Sequence, residues 1–242
     1  PSLTFNRVIF NYPGGIYSGP NTQPTIFDTL TFRASGYFND WNRANVLEIV
    51  RGTNYTIHEG DTLEVNKIIA PDGCSALIEF SSNVDNFAGY LSAAFPDTLN
   101  RIVVKDIHSV GPGQLTAANS TDLGNTNGWT FSQDPGRTLY WVGGSGSWHD
   151  EAHWSLSSGG PGGECVPTPV DDVFFDANSF TGTNQQVDVN TLAYCHDMTW
   201  NGVTGRPRFF CGSYFQLFGS LAMDPNMESS NFFYLYLRST EQ

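Results

Sequence analysis

Brief apolar alternations, each broken by a small turn, recur along this chain and limit what it can fold into. Thr29-Leu30-Thr31-Phe32, Gly60-Asp61-Thr62-Leu63-Glu64-Val65 and Phe215-Gln216-Leu217-Phe218-Gly219-Ser220-Leu221 are the clearest. Along each strand, alternate side chains point to opposite faces. No Asn-Gly hairpin links these strands to their neighbours, so they read as rungs that stack in parallel, each burying its inward side chains against the next. No stretch keeps a 3.6-residue amphipathic period across three turns, so helix content is expected to be low. The predicted class is all-β: a right-handed parallel β-helix, or solenoid, in stacked modules. Strand spacing of roughly 8–12 residues also suits tandem β-sandwiches, which are the alternative.

The strands expected in the first half cover residues 3–10, 25–33, 46–50, 53–69 with a turn at Glu59-Gly60-Asp61, 76–81 and 99–108. Residues 11–23 read as a loop, and 109–133 as a turn-rich terminator closing on Trp129 and Phe131. A linker follows at residues 133–136. Further strands are expected at 186–190, 196–200, 208–211, 214–218, 220–223 and 232–238.

With 11 basic against 24 acidic residues, the formal charge of −13 repels phosphate backbones and anionic lipid. Nucleic acid is therefore set aside as a partner. No apolar run approaches the ~20 residues a membrane-spanning helix needs, so the segment is expected not to insert in a membrane. The chain opens at Pro1 without methionine and stops at residues 239–242 directly after a strand, so it is read as part of a longer protein.

The most distinctive block is residues 137–180, which holds Trp141, Trp148 and Trp154, a run of glycines and the pair Asp171-Asp172. The run RTLYWVGGSGSWHDEAHWSLSSGG from Arg137, CVPTPVDDVFFDANSF from Cys165 and YCHDMTWNGV from Tyr194 resemble repeated modules of giant cell-surface gliding adhesins of Bacteroidota, the SprB-like proteins. ANSTDLGNTNGWTF, from Ala118, resembles the ending of a preceding module. The likeness covers most of the second half and the end of the first. It implies that residues 1–133 are the C-terminal part of one adhesin repeat and 134–242 the N-terminal part of the next. It also implies a secreted, extracellular, surface-attached filament, exported by the type IX secretion system and used for adhesion and gliding. The expected partners are surface polymers or glycans, with the gliding and secretion machinery reached through the parent chain. The expected role is structural and adhesive, not enzymatic. A carbohydrate-binding or polysaccharide-degrading β-helix protein is the alternative.

Candidate sites follow from residue type. Asp28-Thr29-Leu30, Asp61-Thr62-Leu63 and Asp97-Thr98-Leu99 resemble the Bacteroidota O-glycosylation sequon, which would place sugars on Thr29, Thr62 and Thr98. The plain alternative is a turn ending in Asp before a Thr-Leu strand start. Trp41 has polar neighbours and is the candidate for stacking on a glycan ring; core packing is the commoner use of tryptophan. Asp171, Asp172 and Asp176, with Asn178, offer oxygen ligands for Ca²⁺ or else solvated turn carboxylates. No other cofactor is expected. His149-Asp150-Glu151-Ala152-His153 lacks the glutamate that a helical zinc protease motif places after its first histidine. It is read as a turn in which Asp150 accepts backbone N–H bonds. Of the four cysteines, Cys165 and Cys195 are the pair suggested for a disulfide, with free buried thiols as the alternative.

Overall fold

The structure, a computed structural model, describes residues 2–17, 23–133, 135–230 and 234–238. Pro1, residues 18–22 of the expected loop, Asp134 of the expected linker, residues 231–233, which include the first two of the last expected strand, and residues 239–242 lie outside the described residues. The chain is all-β, and its parallel sheets stack as a β-solenoid of about ten turns. Among the described residues a 3₁₀ turn at Glu151–His153 is the one helical element, and no helix is long and apolar enough to cross a membrane. The chain divides into two compact units. The first holds residues 1–72 and 78–134; the second holds 135–242 together with the short segment Gly73–Leu77.

The first unit's strands, in chain order, begin with β1 (Thr4–Phe10), β2 (Gly14–Tyr17), β3 (Thr25–Phe32), β4 (Gly36–Asn39) and β5 (Asn42–Glu48). Next come β6 (Thr53–Ile57), β7 (Thr62–Ile69), β8 (Ile78–Ser82), β9 (Gly89–Ala93) and β10 (Asp97–Asn100). The last are β11 (Ile102–Lys105), β12 (Ile107–Val110), β13 (Leu115–Asp122) and β14 (Trp129–Gln133). One sheet runs β1-β3-β5-β7-β9-β12; a second contains β2, β4, β6, β8, β11 and β13 in that order, with β10 and β14 joined through β13. The chain therefore alternates between sheets as it climbs. Every pairing within this unit is parallel among the described residues, which excludes the β-sandwich alternative.

Register explains why these sequences stack. Phe27, Ala44, Val65 and Ala93 align on the inward side of successive rungs, as do Leu30, Leu47 and Ile68. All seven are buried, and such burial contributes about 1.5–3 kcal/mol per large aliphatic or aromatic side chain. Beside them Phe32 meets Phe38 edge-on at 5.3 Å and Tyr55 at 5.9 Å, and Tyr55 meets Phe80 at 5.7 Å. Tyr55 keeps its hydroxyl satisfied by accepting the Val50 N–H at 2.9 Å.

Corners are built by side-chain oxygens that accept a backbone N–H from an adjacent rung. Asp61 takes the N–H of Asp40 (2.7 Å), Asp97 that of Ile68 (3.1 Å) and Asp106 that of Asn86 (3.1 Å). Turning a rung frees backbone donors, and a short carboxylate is suited to meet them. Much of the chain's acidic excess therefore serves its own backbone.

Residues 99–108 do not form the single strand expected. Arg101 and Asp106 adopt φ +54° and +56°, so the segment breaks into β10, β11 and β12. Residues 115–122, expected as terminator turns, form the eight-residue β13, with an irregularity between Ala118 and Ser120 where Asn119 takes φ +48°. Gly14–Tyr17, inside the expected loop, forms β2. At Gly128 glycine is required by two constraints: φ is +75°, and an added Cβ would lie 2.0 Å from the Ser109 carbonyl oxygen.

The second unit is organised in three sheets. Its first turn carries β15 (Thr138–Trp141), β16 (Gly146–Ser147) and, after the 3₁₀ turn, β17 (Trp154–Ser155). The next carries β18 (Asp172–Phe175), β19 (Gln186–Val189) and β20 (Ala193–Cys195). Then follow β21 (Met198–Trp200), β22 (Arg208–Cys211) and β23 (Phe215–Leu217), and finally β24 (Leu221–Ala222), β25 (Glu228–Ser230) and β26 (Leu235–Leu237). The sheets are β17-β15-β18-β21-β24, β16-β19-β22-β25 and β20-β23-β26, and only β15 with β17 is antiparallel among the described residues. Trp141, Trp148 and Trp154 are fully buried in this unit's core with Phe175, Trp200, Phe209 and Phe215. Phe175 and Trp200 stack at 3.9 Å, and Trp148 meets Phe215 edge-on at 4.9 Å.

Candidate functional site

Adjacent rungs lie about 4.8 Å apart, so outward side chains at equivalent register touch and form columns. The outer face of β3, β5 and β7 carries the most organised set. Arg43 is paired in register with Glu64 and makes an ion pair with it at 2.5 Å. The indole N–H of Trp41, the residue before β5, donates to the same carboxylate at 2.8 Å. Trp41 is 37% exposed, and that hydrogen bond orients its ring. Asn66 donates to Asn45 (3.1 Å) and Asn45 to Asp28 (2.7 Å), a ladder across three rungs. Thr31 donates to Glu48 at 2.6 Å, and Arg7 sits 3.6 Å from that carboxylate.

The expected threonines fall on or beside this face. Thr29 pairs in register with Arg7 and Val46, and Thr62 with Tyr90; both are half-buried. Thr98 is exposed and pairs with Thr116. The aspartates before them all have structural partners: Asn45 for Asp28, the Asp40 N–H for Asp61, and the N–H groups of Thr98 and Ile68 for Asp97.

Beyond the C-terminal end of β7 lies an open cavity of about 280 Å³ lined by Arg51, Lys67, Ile69, Asp72, Thr98 and Asn100, among others. Arg51 builds its wall: Nε donates to the Pro71 carbonyl (2.8 Å) and Nη2 to the Asn100 carbonyl (3.1 Å). Burial lowers the Arg51 pKa, opposed by the charge of Asp72. Sequence reading missed this cavity, because its residues come from rungs and turns tens of positions apart.

In the second unit the Ca²⁺ candidates do not converge. Asp171 is wholly buried and accepts from the Arg137 backbone N–H (2.7 Å), Nε (3.1 Å) and Nη2 (2.7 Å), and from the Thr168 N–H and hydroxyl. Asp176 closes a turn with the N–H of Asn178 and the hydroxyl of Ser179. Asp172 instead lies with His196 and Asp197. This trio is the one set of His, Cys, Asp and Glu among the described residues whose ligand atoms all fall within 4.8 Å. Its two carboxylates already serve the corner, since Asp172 accepts the Asp197 N–H (3.1 Å) and Asp197 the Ser220 N–H (2.5 Å).

The histidine block forms the expected turn. Asp150 accepts the Ala152 N–H at 3.0 Å and caps the 3₁₀ segment. The histidines have separate partners: His149 faces the Leu192 carbonyl, and burial lowers its pKa. His153 stacks on Trp141 at 4.6 Å and contacts the Val142 carbonyl.

The disulfide is not Cys165–Cys195. Cys165 bonds to Cys74, with Cα atoms 5.0 Å apart, while Cys195 and Cys211 are buried free thiols. Cys195 belongs to β20, where it faces the core beside Leu217 in the next rung, which removes it from the loop holding Cys165. Burial pushes the Cys195 thiol well up and that of Cys211 up to about 11, so both stay protonated and act as small hydrophobes.

No protein-family profile, no curated protein and no solved structure matches this chain.

Proposed function

We propose that this chain is a structural and adhesive segment of a secreted, surface-attached filament, whose rungs present the outer face of β3, β5 and β7 to surface glycans. The observation that carries this reading is the cross-rung ladder set by Asp28, Asn45 and Asn66, flanked by the oriented ring of Trp41. Such a face is stiff before contact, which reduces the ordering cost of binding. A flat polar ladder beside an exposed aromatic ring suits pyranose chains, which offer hydroxyls on their edges and C–H groups on their faces. The disulfide supports an oxidising, extracellular setting. The likeness of residues 137–180 to gliding-adhesin modules supports the cell-surface and Bacteroidota assignment, including type IX export.

Trp41→Ala is expected to lower retention on polysaccharide-coated surfaces on the order of tenfold or more, the weight of a tryptophan hot spot. Unchanged retention of the folded variant removes the face from the proposal. At least one of Thr29, Thr62 and Thr98 is expected to carry sugar in the native protein. A glycan mass on any of the three peptides is the expected result; bare peptides for all three end the modification proposal.

The second reading, a polysaccharide-degrading β-helix, draws on the meeting of Arg51, Lys67 and Asp72 around one cavity. Release of new reducing ends from any acidic polysaccharide would favour it over the structural role.

A further inference from the structure

The cavity at the end of β7 has a composition at odds with the rest of the surface. The chain as a whole carries −13, and three other cations in the first unit are matched to acidic neighbours, Arg7 with Glu48, Arg43 with Glu64 and Lys105 with Asp85, while Arg33 is hydrogen-bonded to Asn11. Lys67 is exposed and has no ion pair among the described residues. It shares the cavity with the Arg51 guanidinium, whose position is fixed by the Pro71 and Asn100 carbonyls. Aliphatic surface is supplied by Ile69, and hydrogen-bonding groups by Thr98 and Asn100. A volume of about 280 Å³ is at the small end for ligand sites and has room for a single hexose ring.

We propose that this cavity binds one carboxylated sugar, a uronate residue of a surface polysaccharide, with its carboxylate at Lys67 and Arg51 and its hydroxyls at Thr98 and Asn100. The cations, Ile69 and the polar groups each have a use in this arrangement, and the Asp72 carboxylate, which lines the same cavity and acts on Arg51, turns the sugar carboxylate toward Lys67. The lysine ammonium supplies a charge-assisted contact that a neutral hexose cannot return. The aliphatic wall receives a ring face that a bare carboxylate such as acetate lacks. The overall negative charge repels densely charged polyanions, so the preferred polymer carries isolated uronates among neutral sugars. The inference rests on the proposed glycan-contacting role and names the chemistry of one subsite. Along β7, Glu64 at the Trp41 end and Ile69 at the cavity are five residues apart, about 16 Å at strand rise, so one extended polymer can reach both.

The test uses the whole 242-residue chain made without glycosylation, because a sugar on Thr98 would fill the same space. Backbone amide shifts are followed during titration with D-glucuronate, D-glucose and acetate. Saturable shifts at Ile69, Thr98 and Asn100 with glucuronate are expected, with Kd on the order of 1 mM for a ligand of this size. Glucose, acetate and the Lys67→Gln variant titrated with glucuronate should each bind about tenfold more weakly, the weight of one charge-assisted hydrogen bond. Equal affinity for acetate makes this a plain anion site and overturns the proposal, as does equal affinity for glucose or the absence of cavity shifts. The two proposals separate in the adhesion assay. If Trp41→Ala loses retention while glucuronate moves no cavity resonance, the adhesive face stands and the uronate subsite falls. If retention is indifferent to Trp41→Ala as well, both fall.

Discussion

Replacing Asp171 by alanine is expected to destabilise the second unit by about 3–5 kcal/mol, the cost of removing one partner of a buried ion pair. The side chain has no solvent exposure and accepts five hydrogen bonds, three from Arg137 and two from Thr168. Its partner Arg137 also contacts the Val166 carbonyl at 3.2 Å and Glu164 at 3.9 Å, but neither replaces the bidentate carboxylate. Removing Asp171 also strands two backbone N–H groups at the entry to β15 and the turn before β18. Urea denaturation followed by tryptophan fluorescence reads this directly, since Trp141, Trp148, Trp154 and Trp200 all lie in the second unit's core. A loss below about 1 kcal/mol, within the range of an ordinary surface substitution, would show that the pair does not organise this corner. The double variant Arg137→Met with Asp171→Ala should recover part of the loss, because the uncompensated charge is then gone.

Reduction of Cys74–Cys165 is the second large effect expected. The bond closes a loop of sequence separation 91, for which loop entropy predicts about 4–5 kcal/mol of stabilisation. Guanidinium midpoints of the oxidised chain, the reduced chain and the Cys74→Ser, Cys165→Ser double variant should separate accordingly, the last two agreeing. Cys195 and Cys211 are not expected to substitute as partners, since both are buried and protonated. Coincident midpoints with and without reductant would mean that the crosslink adds nothing to the fold's stability.

Which parts of this structure were legible in sequence depends on how local the determining interaction is. Residues 62–65 alternate cleanly, and their inward residues Leu63 and Val65 are buried as the pattern implies, whereas the alternation breaks at the exposed pair Asn66-Lys67 and Ile68 is buried out of phase. The Asp150 turn was equally readable, because the cap and its N–H lie two positions apart. Residues 99–108 were misread as one strand because their corners use Arg101 and Asp106 in a left-handed conformation without any glycine to announce it. Long-range features left no signal at all. Rung lengths vary, with 17 residues from Thr25 to its partner Asn42 but 28 from Thr62 to Tyr90. Without a fixed period, nothing in the sequence aligns Lys67 with Thr98, or Cys74 with Cys165.

That irregular crosslink has a mechanical consequence for a chain loaded from its ends. In the oxidised protein, tension entering at residue 74 passes through sulfur to residue 165 and skips everything between. Strands β8 to β17 lie inside that bypassed stretch. Ninety residues, numbers 75 to 164, thus represent on the order of 300 Å of contour length that pulling cannot release. Only reduction would restore it as slack.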